Sequence, residues 1–299
     1  MKLNYDSFDD ETLFTHLFVI VDDSYKKSHF PQKDNLRRGP TPNLSDSEVI
    51  TLEIMRELKE MASQKRWIKY IKNHWLSLFP RLNERSRYHR RVKDLCHIIN
   101  IIRIKVLALL NSAYETHYLV DSLPIAVCHY ARSGRAKAFK GEADFGYCEA
   151  KDEKFFGFKL HMVSTIMGVP VNFVLAPGNY HDITLVPELL EPFSNVVIGG
   201  DKGYVSFPLK EELAQKKNIH FIAKPRDNQK ELSSGDAWFL GHFRRTIETL
   251  FSQLTECFHV TVVKAKTLWG LITNLYTKIT AYTFGLYLSK KVSTNQEIN

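Results

Sequence analysis

Three acidic side chains stand at positions where packing alone explains a carboxylate poorly. Asp121 lies inside the apolar segment 118–127, and Asp201 ends a second apolar run. Glu248 belongs to an amphipathic segment, residues 244–254. A carboxylate in an apolar strand is costly unless it is compensated, and three carboxylates at one place repel each other unless a cation lies between them. Oxygen ligands suit Mg²⁺ or Mn²⁺, and a pair of such ions can clamp the attacking and leaving oxygens of a phosphoryl displacement.

Each of these acids also has a structural interpretation. The segment Gly200-Asp-Lys-Gly-Tyr204 is rich in residues that form turns, so Asp201 could simply shape one. Glu248 follows Arg244 by four residues, which is the spacing of a surface ion pair on a helix. Asp121 is the hardest to explain in this way, because it interrupts an apolar strand. The three acids together, in this order along the chain, favour catalysis.

The positive charge of the chain is concentrated in one segment. The net charge is +8, yet between Ala62 and Lys105 twelve Lys or Arg residues face only Glu84 and Asp94. That segment therefore carries +10 and the rest of the chain −2. A local basic patch of this kind is typical of a nucleic-acid-binding surface, although a solvated helix surface is the alternative.

Composition narrows the class of protein. The four cysteines, Cys96, Cys128, Cys148 and Cys257, form no CxxC pair, which argues against a disulfide framework or a zinc ribbon and favours a reducing compartment. A metal site made of Cys128, His129 and Cys148 is conceivable, but buried thiols are the preferred interpretation. The first residues lack the apolar core of a signal peptide, and the longest apolar stretch, residues 98–110, is too short and too charged to span a bilayer. We therefore expect a cytoplasmic protein without a membrane segment.

Hydrophobic periodicity divides the chain. Helical spacing predicts helices over residues 8–21, from the capping box Ser45/Glu48 toward Met61, and over 67–78, 83–95 and 98–113, with a loop or arm at 28–42. Strands are predicted at 118–127, 155–165, 169–176, 196–199 and 220–223, and helices at 182–193, 209–217, 242–257 and 268–289. The expected fold class is α/β, a mixed sheet flanked by helices and preceded by an all-helical region. The predicted division is 1–113, a helical basic DNA-binding region; 114–291, a catalytic domain; and 292–299, a tail.

Four segments, in this order, resemble the DDE transposases of bacterial insertion sequences, which have an RNase H-like catalytic core. They are Leu119-Val-Asp-Ser-Leu-Pro124, Pro177-Gly-Asn-Tyr-His-Asp182, Gly200-Asp-Lys-Gly-Tyr204 and Arg244-Arg-Thr-Ile-Glu-Thr-Leu-Phe251. The resemblance implies that Asp121, Asp201 and Glu248 are catalytic and bind two Mg²⁺ or Mn²⁺ ions. The family often places Tyr, Arg, Glu and Lys at fixed offsets on the last catalytic helix. Arg244 and Glu248 match that pattern, whereas Gly241 and Thr255 occupy the Tyr and Lys positions.

The resemblance also implies an activity and its partners. Metal-dependent cleavage at the element ends would be followed by strand transfer into target DNA, without a covalent protein–DNA intermediate. Double-stranded DNA, namely the terminal inverted repeats and the target, is the expected partner, bound by a homodimer in the bacterial nucleoid. Expected DNA contacts are Arg85, Arg87, Arg90, Arg91, Lys202, Tyr204 and Arg244. The alternatives are a nuclease with the same core that does not join strands, and a non-catalytic helical DNA-binding regulator.

Two further segments keep two interpretations each. Asp182, just after His181, is predicted to cap a helix, while the family resemblance places His181 or Asp182 near the metals. The segment from Tyr130 to Lys140 holds Arg132, Arg135, Lys137 and Lys140 together with Tyr130 and Phe139. It fits a basic loop over DNA, and it equally fits an ordinary exposed loop.

Overall fold

The computed structural model of the protein describes residues 3–4, 8–28, 42–112, 115–148, 152–204, 206–224 and 231–297. The chain divides into two compact units. One spans Leu110–Leu268, and the other combines Lys2–Leu109 with Trp269–Asn299. Most of the loop predicted at 28–42 lies outside the described residues.

The helical unit contains the five predicted N-terminal helices and the last helix of the chain. They are α1 (Asp10–Lys27), α2 (Asp46–Leu58), α3 (Gln64–His74), α4 (Arg85–Asp94), α5 (Cys96–Leu109) and α9 (Leu268–Glu297). The predicted capping box is confirmed: Ser45 Oγ accepts the Glu48 N–H at 3.1 Å, and a Glu48 carboxylate oxygen accepts the Ser45 N–H at 2.6 Å. This reciprocal pair satisfies two amide donors that the first helical turn would otherwise leave without partners.

Helix α9 differs from its prediction in place and length. It groups with the N-terminal helices, although the sequence assigned residues up to 291 to the catalytic domain. It also runs to Glu297, into the stretch predicted as a loose tail. The reason is its burial: Thr277, Ile279 and Thr280 are almost completely inaccessible, and Lys278 lies 3.4 Å from Glu57 of α2. A helix buried around most of its circumference needs other helices on several sides.

The other unit is built on one mixed sheet. Its strands are β1 (His117–His129), β2 (Asp144–Cys148), β3 (Glu153–Thr165), β4 (Pro170–Pro177), β5 (Val196–Gly200) and β6 (Ile219–Ala223). Strands β1, β3 and β4 form an antiparallel meander, while β5 and β6 are parallel to β1, in the order β4-β3-β1-β5-β6. Strand β2 pairs with the first part of β3. With its flanking helices α6 (Val186–Leu189), α7 (Phe207–Lys217) and α8 (Ser234–Glu256), this sheet is RNase H-like.

The two faces of the sheet have different roles because successive side chains on a strand point to opposite faces. Tyr118, Val120 and Ile198 point to one face, which we term the core face, and pack there in a cluster with side chains of α6 and α7. Leu119 and Asp121 point to the other face, which carries α8 and which we term the α8 face. The same strand therefore supplies the core on one side and the first acid on the other.

Two further elements differ from their predictions, and two were not predicted. The helix predicted at 182–193 is a 3-10 turn (Asp182–Leu185) followed by the short α6, because Pro187 lacks the amide hydrogen that a continuing helix needs. Helix α8 begins eight residues before the predicted start, where Ser233 accepts the Asp236 N–H. Strand β2 and the 3-10 helix Tyr130–Arg135 had no periodic signal strong enough to predict them.

Candidate active site

Asp121 and Asp201 come together where the parallel pairing of β1 with β5 ends. Val120 of β1 is in register with Gly200, the last residue of β5, and each acid is the next residue along the chain. Gly199 permits this arrangement, since a Cβ there would lie 2.7 Å from Cε1 of Phe239 on α8. The backbone then turns sharply after β5, with the Tyr204 N–H donating to the Asp201 carbonyl at 3.1 Å.

Helix α8 brings a third acid and an arginine to the same place. Arg244 Nη1 lies 3.6 Å from Asp201 Oδ1, and Arg244 Nε lies 3.6 Å from Glu248 Oε1. A small cleft on the α8 face is lined by Leu119, Val120, Asp121, Gly199, Gly200, Asp201, Leu240, Arg244 and Ile247. Arg244 thus contacts both Glu248 of α8 and Asp201, which follows β5.

The environment of Asp121 disfavours its charge. Burial is the largest cause that raises its pKa, to about 6, and the nearby carboxylates of Asp201 and Asp182 act in the same direction. The Ser122 N–H, which donates to Asp121 Oδ1 at 2.8 Å, and the Arg244 guanidinium oppose that shift only in part. A group of acids with too little positive charge nearby is the situation that a bound cation corrects.

The donor set fits a hard divalent ion. Asp121, Asp201 and Glu248 offer carboxylate oxygens only, which is the ligation that Mg²⁺ and Mn²⁺ prefer. Within the described residues, however, no three His, Cys, Asp or Glu side chains stand close enough to hold a metal ion together. Arg244 contacts two of the three acids at the place where their charges meet.

Tyr204, an expected DNA contact, points away from the surface. It is 1% exposed, it packs on the core face, and its hydroxyl lies 2.9 Å from His161 Nδ1. Burial lowers the pKa of His161 to about 4, so the imidazole is neutral at physiological pH. We therefore correct the expectation for Tyr204: its side chain holds the turn after Asp201 and does not contact a DNA backbone. Lys202 in the same turn is exposed, as a phosphate contact requires.

Asp182 does not cap a helix, contrary to the prediction. The N-cap position of its 3-10 turn is His181, and no side chain makes a capping hydrogen bond there. Instead, Asp182 Oδ1 accepts a hydrogen bond from Lys159 Nζ at 3.0 Å. Its carboxylate also contributes to the raised pKa values of Asp121 and Tyr204, which places it close to the candidate active site.

The basic segment of the helical unit presents three of its four expected arginines. Arg85, Arg87 and Arg90 of α4 are exposed, while Tyr88 and Val92 bury the opposite side of the helix. Arg91 is largely buried and forms an ion pair with Asp46 of α2, so it anchors α4 and presents no free charge. The expected DNA contact by Arg91 is thus replaced by a structural role.

A buried polar network joins α4 to α2. Tyr88 Oη donates to Glu53 Oε2 at 2.8 Å, and Arg56 binds the other oxygen of Glu53 at 2.6 Å. Burial works to raise the pKa of Glu53, yet its bonds with Arg56, Tyr88 and Gln64 hold that pKa below the ordinary value. This network could not be predicted, because the spacing of Glu53 and Arg56 is compatible with an exposed helix face.

A comparison with protein-family models identifies the family. A model described as a transposase DDE domain matches residues 111–266, just over half of the chain, and this range contains Asp121, Asp201, Arg244 and Glu248. The chain therefore belongs to the DDE transposase family, a class of enzymes that act on DNA and generally use divalent metal ions. A search of curated proteins finds no match. In the part of the chain that the structure describes, no helix is long and apolar enough to cross a membrane.

Proposed function

We propose that the protein is an insertion-sequence transposase that cleaves DNA at the ends of its element and joins the freed strand to target DNA. The observation that carries the proposal is that Arg244 on the α8 face contacts both Asp201 and Glu248 in a cleft also lined by Asp121, inside the segment that matches the transposase DDE domain. The family membership supports a transposase-type function. The proposal adds two reaction steps, cleavage at the element ends and strand transfer into target DNA.

The roles of the side chains follow from their surroundings. Asp121, Asp201 and Glu248 would hold two Mg²⁺ or Mn²⁺ ions, which supply a bound water of lowered pKa and neutralise charge on the reacting phosphate. Arg244, whose side chain is 42% exposed, has donors to spare for a phosphate oxygen. Lys202 is exposed just after Asp201 and can bind an adjacent phosphate. The first cleavage leaves a 3′-hydroxyl, which then attacks the target phosphodiester in the same site.

The helical unit supplies the binding of duplex DNA in this proposal. Arg85, Arg87 and Arg90 line the exposed side of α4, and four more cations are exposed on α3, namely Lys65, Arg66, Lys69 and Lys72. Neutralising phosphates with such side chains releases counterions, so affinity should fall steeply as salt rises. A homodimer on DNA, with one active site for each element end, completes the proposal.

The test is an end-cleavage assay. The purified protein is incubated with Mg²⁺, a plasmid target and linear DNA that carries both ends of the element encoding it. Nicks with 3′-hydroxyl ends and joined products are expected. Asp121→Ala, Asp201→Ala and Glu248→Ala should each abolish both products while keeping DNA affinity within about twofold. Glu211→Ala, an exposed acid on α7, is the matched control and should cleave normally.

The possible outcomes separate the alternatives. Nicks without joined products would indicate a nuclease that shares the core. Binding without nicks, in the wild type as in the variants, would leave a DNA-binding regulator whose acids only shape the fold. Normal cleavage by any one of the three alanine variants would remove that residue from the site.

Two double variants test whether the exposed arginines of α4 bind duplex DNA. Arg87→Glu with Arg90→Glu reverses two exposed charges on α4 and should weaken duplex binding and flatten its salt dependence. Lys290→Glu with Lys291→Glu, at exposed positions of α9, changes the charge by the same amount. Equal affinity losses in the two double variants would mean that net charge matters and α4 does not.

A further inference from the structure

The sheet of the unit that spans Leu110–Leu268 carries a group of exposed aromatic side chains. This group lies away from the candidate active site along β1 and β3. Tyr130, Phe145 and Tyr147 are each between 46% and 47% exposed, although aromatic side chains are ordinarily buried. The ring of Phe145 lies 5.2 Å from that of Tyr130 and 5.4 Å from that of Phe156. We term these four residues the aromatic surface.

Three of the four residues of the aromatic surface, Phe145, Tyr147 and Phe156, lie on paired strands, which hold their backbone in place. Phe145 of β2 is opposite Phe156 of β3, and Tyr147 is opposite Lys154. The Tyr147 hydroxyl donates to Asp152, which directly precedes β3. Gly146 brings β2 so close to its neighbours that a Cβ there would lie 2.9 Å from the Gly178 carbonyl oxygen. Rings held in this way lose little conformational entropy when a flat ligand stacks on them.

The segment that contributes Tyr130 to the aromatic surface is basic. The segment from Tyr130 to Lys140 contains no acid, and its four cations are all exposed: Arg132, Arg135, Lys137 and Lys140. Lys154 Nζ lies 5.8 Å from the centre of the Tyr130 ring. Residues 142–154 contain five acids. Asp144 accepts the Phe145 N–H and the Asn179 amide, Asp152 accepts the Tyr147 hydroxyl, Glu142 and Glu153 are exposed, and Glu149 lies outside the described residues. Stacking rings bordered by cations suit a polyanion whose bases are accessible.

The aromatic surface continues the face that carries the acids. Asp121 is opposite Met162 on β3, and Phe156 lies six residues before Met162 on that strand, so both point to the α8 face. Six residues of strand span about 20 Å. A strand of DNA that leaves the cleft along this face would reach the rings a few nucleotides away from the reacting phosphate.

We propose that the aromatic surface binds unpaired DNA, with bases stacked on Phe145, Tyr147 and Tyr130 and phosphates held by Arg132, Arg135 and Lys154. Duplex DNA hides the faces of its bases, whereas a single strand offers one face per nucleotide, and every base can stack on an aromatic ring. The surface would hold a strand that separates from its partner near the cut. The proposal rests on the proposed transposase function for its biological meaning, and its binding chemistry is measured separately.

The test compares two DNA probes on the full-length protein. Fluorescence anisotropy measures affinity for a labelled oligothymidine strand and for a labelled duplex of mixed sequence. Phe145→Ala and Tyr147→Ala should each weaken binding of the single strand by roughly fivefold to a hundredfold, the range for losing one stacked base. Their affinity for the duplex should stay within about twofold of wild type. Phe207→Ala, an aromatic residue that is 73% exposed on α7, is the matched control and should bind both probes normally.

Folding and charge are checked with two further measurements. Circular dichroism and melting temperature should match the wild type, because each truncated ring is already half exposed. Arg132→Gln with Arg135→Gln should lower the salt dependence of single-strand binding while the rings are intact.

The outcomes separate this proposal from the proposed function. Unchanged single-strand affinity in Phe145→Ala and Tyr147→Ala, with normal duplex binding and cleavage, would overturn the aromatic surface as a DNA site and leave the transposase proposal standing. Association of wild-type chains that is lost in the same two variants, with single-strand affinity unchanged, would assign the surface to a protein partner and overturn the proposal. Failure of Asp121→Ala to abolish cleavage would instead overturn the active-site assignment.

Discussion

Replacing Asp121 by Asn should stabilise the metal-free protein at neutral and alkaline pH. The carboxyl has a pKa of about 6 in the folded protein, against an ordinary value of 3.8, chiefly because burial disfavours its charge. The difference of about 2 pKa units corresponds to up to about 3 kcal/mol at 1.36 kcal/mol per unit. Asn keeps the shape and can still accept the Ser122 N–H, which now donates to Asp121 Oδ1 at 2.8 Å. The substitution therefore removes the cost of the charge and little else.

The pH dependence of this effect has a definite sign. Between about pH 4 and pH 6 the folded protein binds more protons at Asp121 than the unfolded chain does, so wild-type stability falls as pH rises through that window. Below the window both states are protonated, and the variant gains nothing. Above it both states are ionised and the full difference applies. The stabilisation by Asp121→Asn should accordingly be near zero at about pH 4 and reach its plateau above about pH 6.

Melting curves across this pH range, without metal, measure the effect. For a unit of this size each kcal/mol shifts the melting temperature by roughly 2–4 °C. Glu211→Gln, an exposed acid on α7, is the matched control and should follow the wild type at every pH. Excess Mg²⁺ should then raise the melting temperature of the wild type and not that of Asp121→Asn, because the variant lacks a ligand. A variant that is less stable than wild type at pH 8 would refute the reasoning that the charge of Asp121 is uncompensated.

Three more substitutions test the contacts that hold the candidate active site and the helical unit in place. Tyr204→Phe leaves His161 buried without its hydrogen-bond partner, so chemical denaturation should show a loss of about 1–3 kcal/mol and the cleavage assay a slower reaction at unchanged DNA affinity. Glu53→Gln removes one charge from the buried pair with Arg56 and should lower the free energy of unfolding by about 3 kcal/mol. Wild-type stability in that variant would mean that Glu57 alone balances the charge of Arg56. Ser45→Ala should cost about 1 kcal/mol, with Ser45→Asp, which can still cap the helix, restoring most of the loss.

The regular elements of the fold could be predicted from the sequence because their signals are local. Hydrophobic periodicity located β3 and β4, and Gly168 between them has a positive φ of 81°. The placement of α9 could not be predicted, since a buried helix does not encode which partners cover it. Strand β2 was missed for a related reason: five residues that pair at an edge, with half-exposed rings, lack the alternation of a buried strand.

The acids of the candidate site were accessible to sequence reasoning, and the residues that position them were not. Asp121 stood out because it breaks an apolar run, and Arg244 and Glu248 because their spacing matches a family pattern. His161 carried no comparable signal, because its strand also contains Lys159, Ser164 and Thr165. Only the three-dimensional structure shows that it is opposite Ser122 and bonded to Tyr204, because this pairing joins strand β3 to a turn some forty residues later.

Charge balance explains why the candidate site contacts an arginine and yet suits a metal. The carboxylates of Asp121, Asp201 and Glu248 carry three negative charges when ionised, and the Arg244 guanidinium offsets one of them. The two charges that remain equal the charge of one divalent ion, so the site without DNA has reason to take one ion and little reason to take a second. A scissile phosphate adds negative charge and further oxygen ligands, which makes a second ion favourable only when DNA is present. Arg244 could donate to that phosphate, so the arginine that offsets carboxylate charge in the candidate site would also help to bind the substrate.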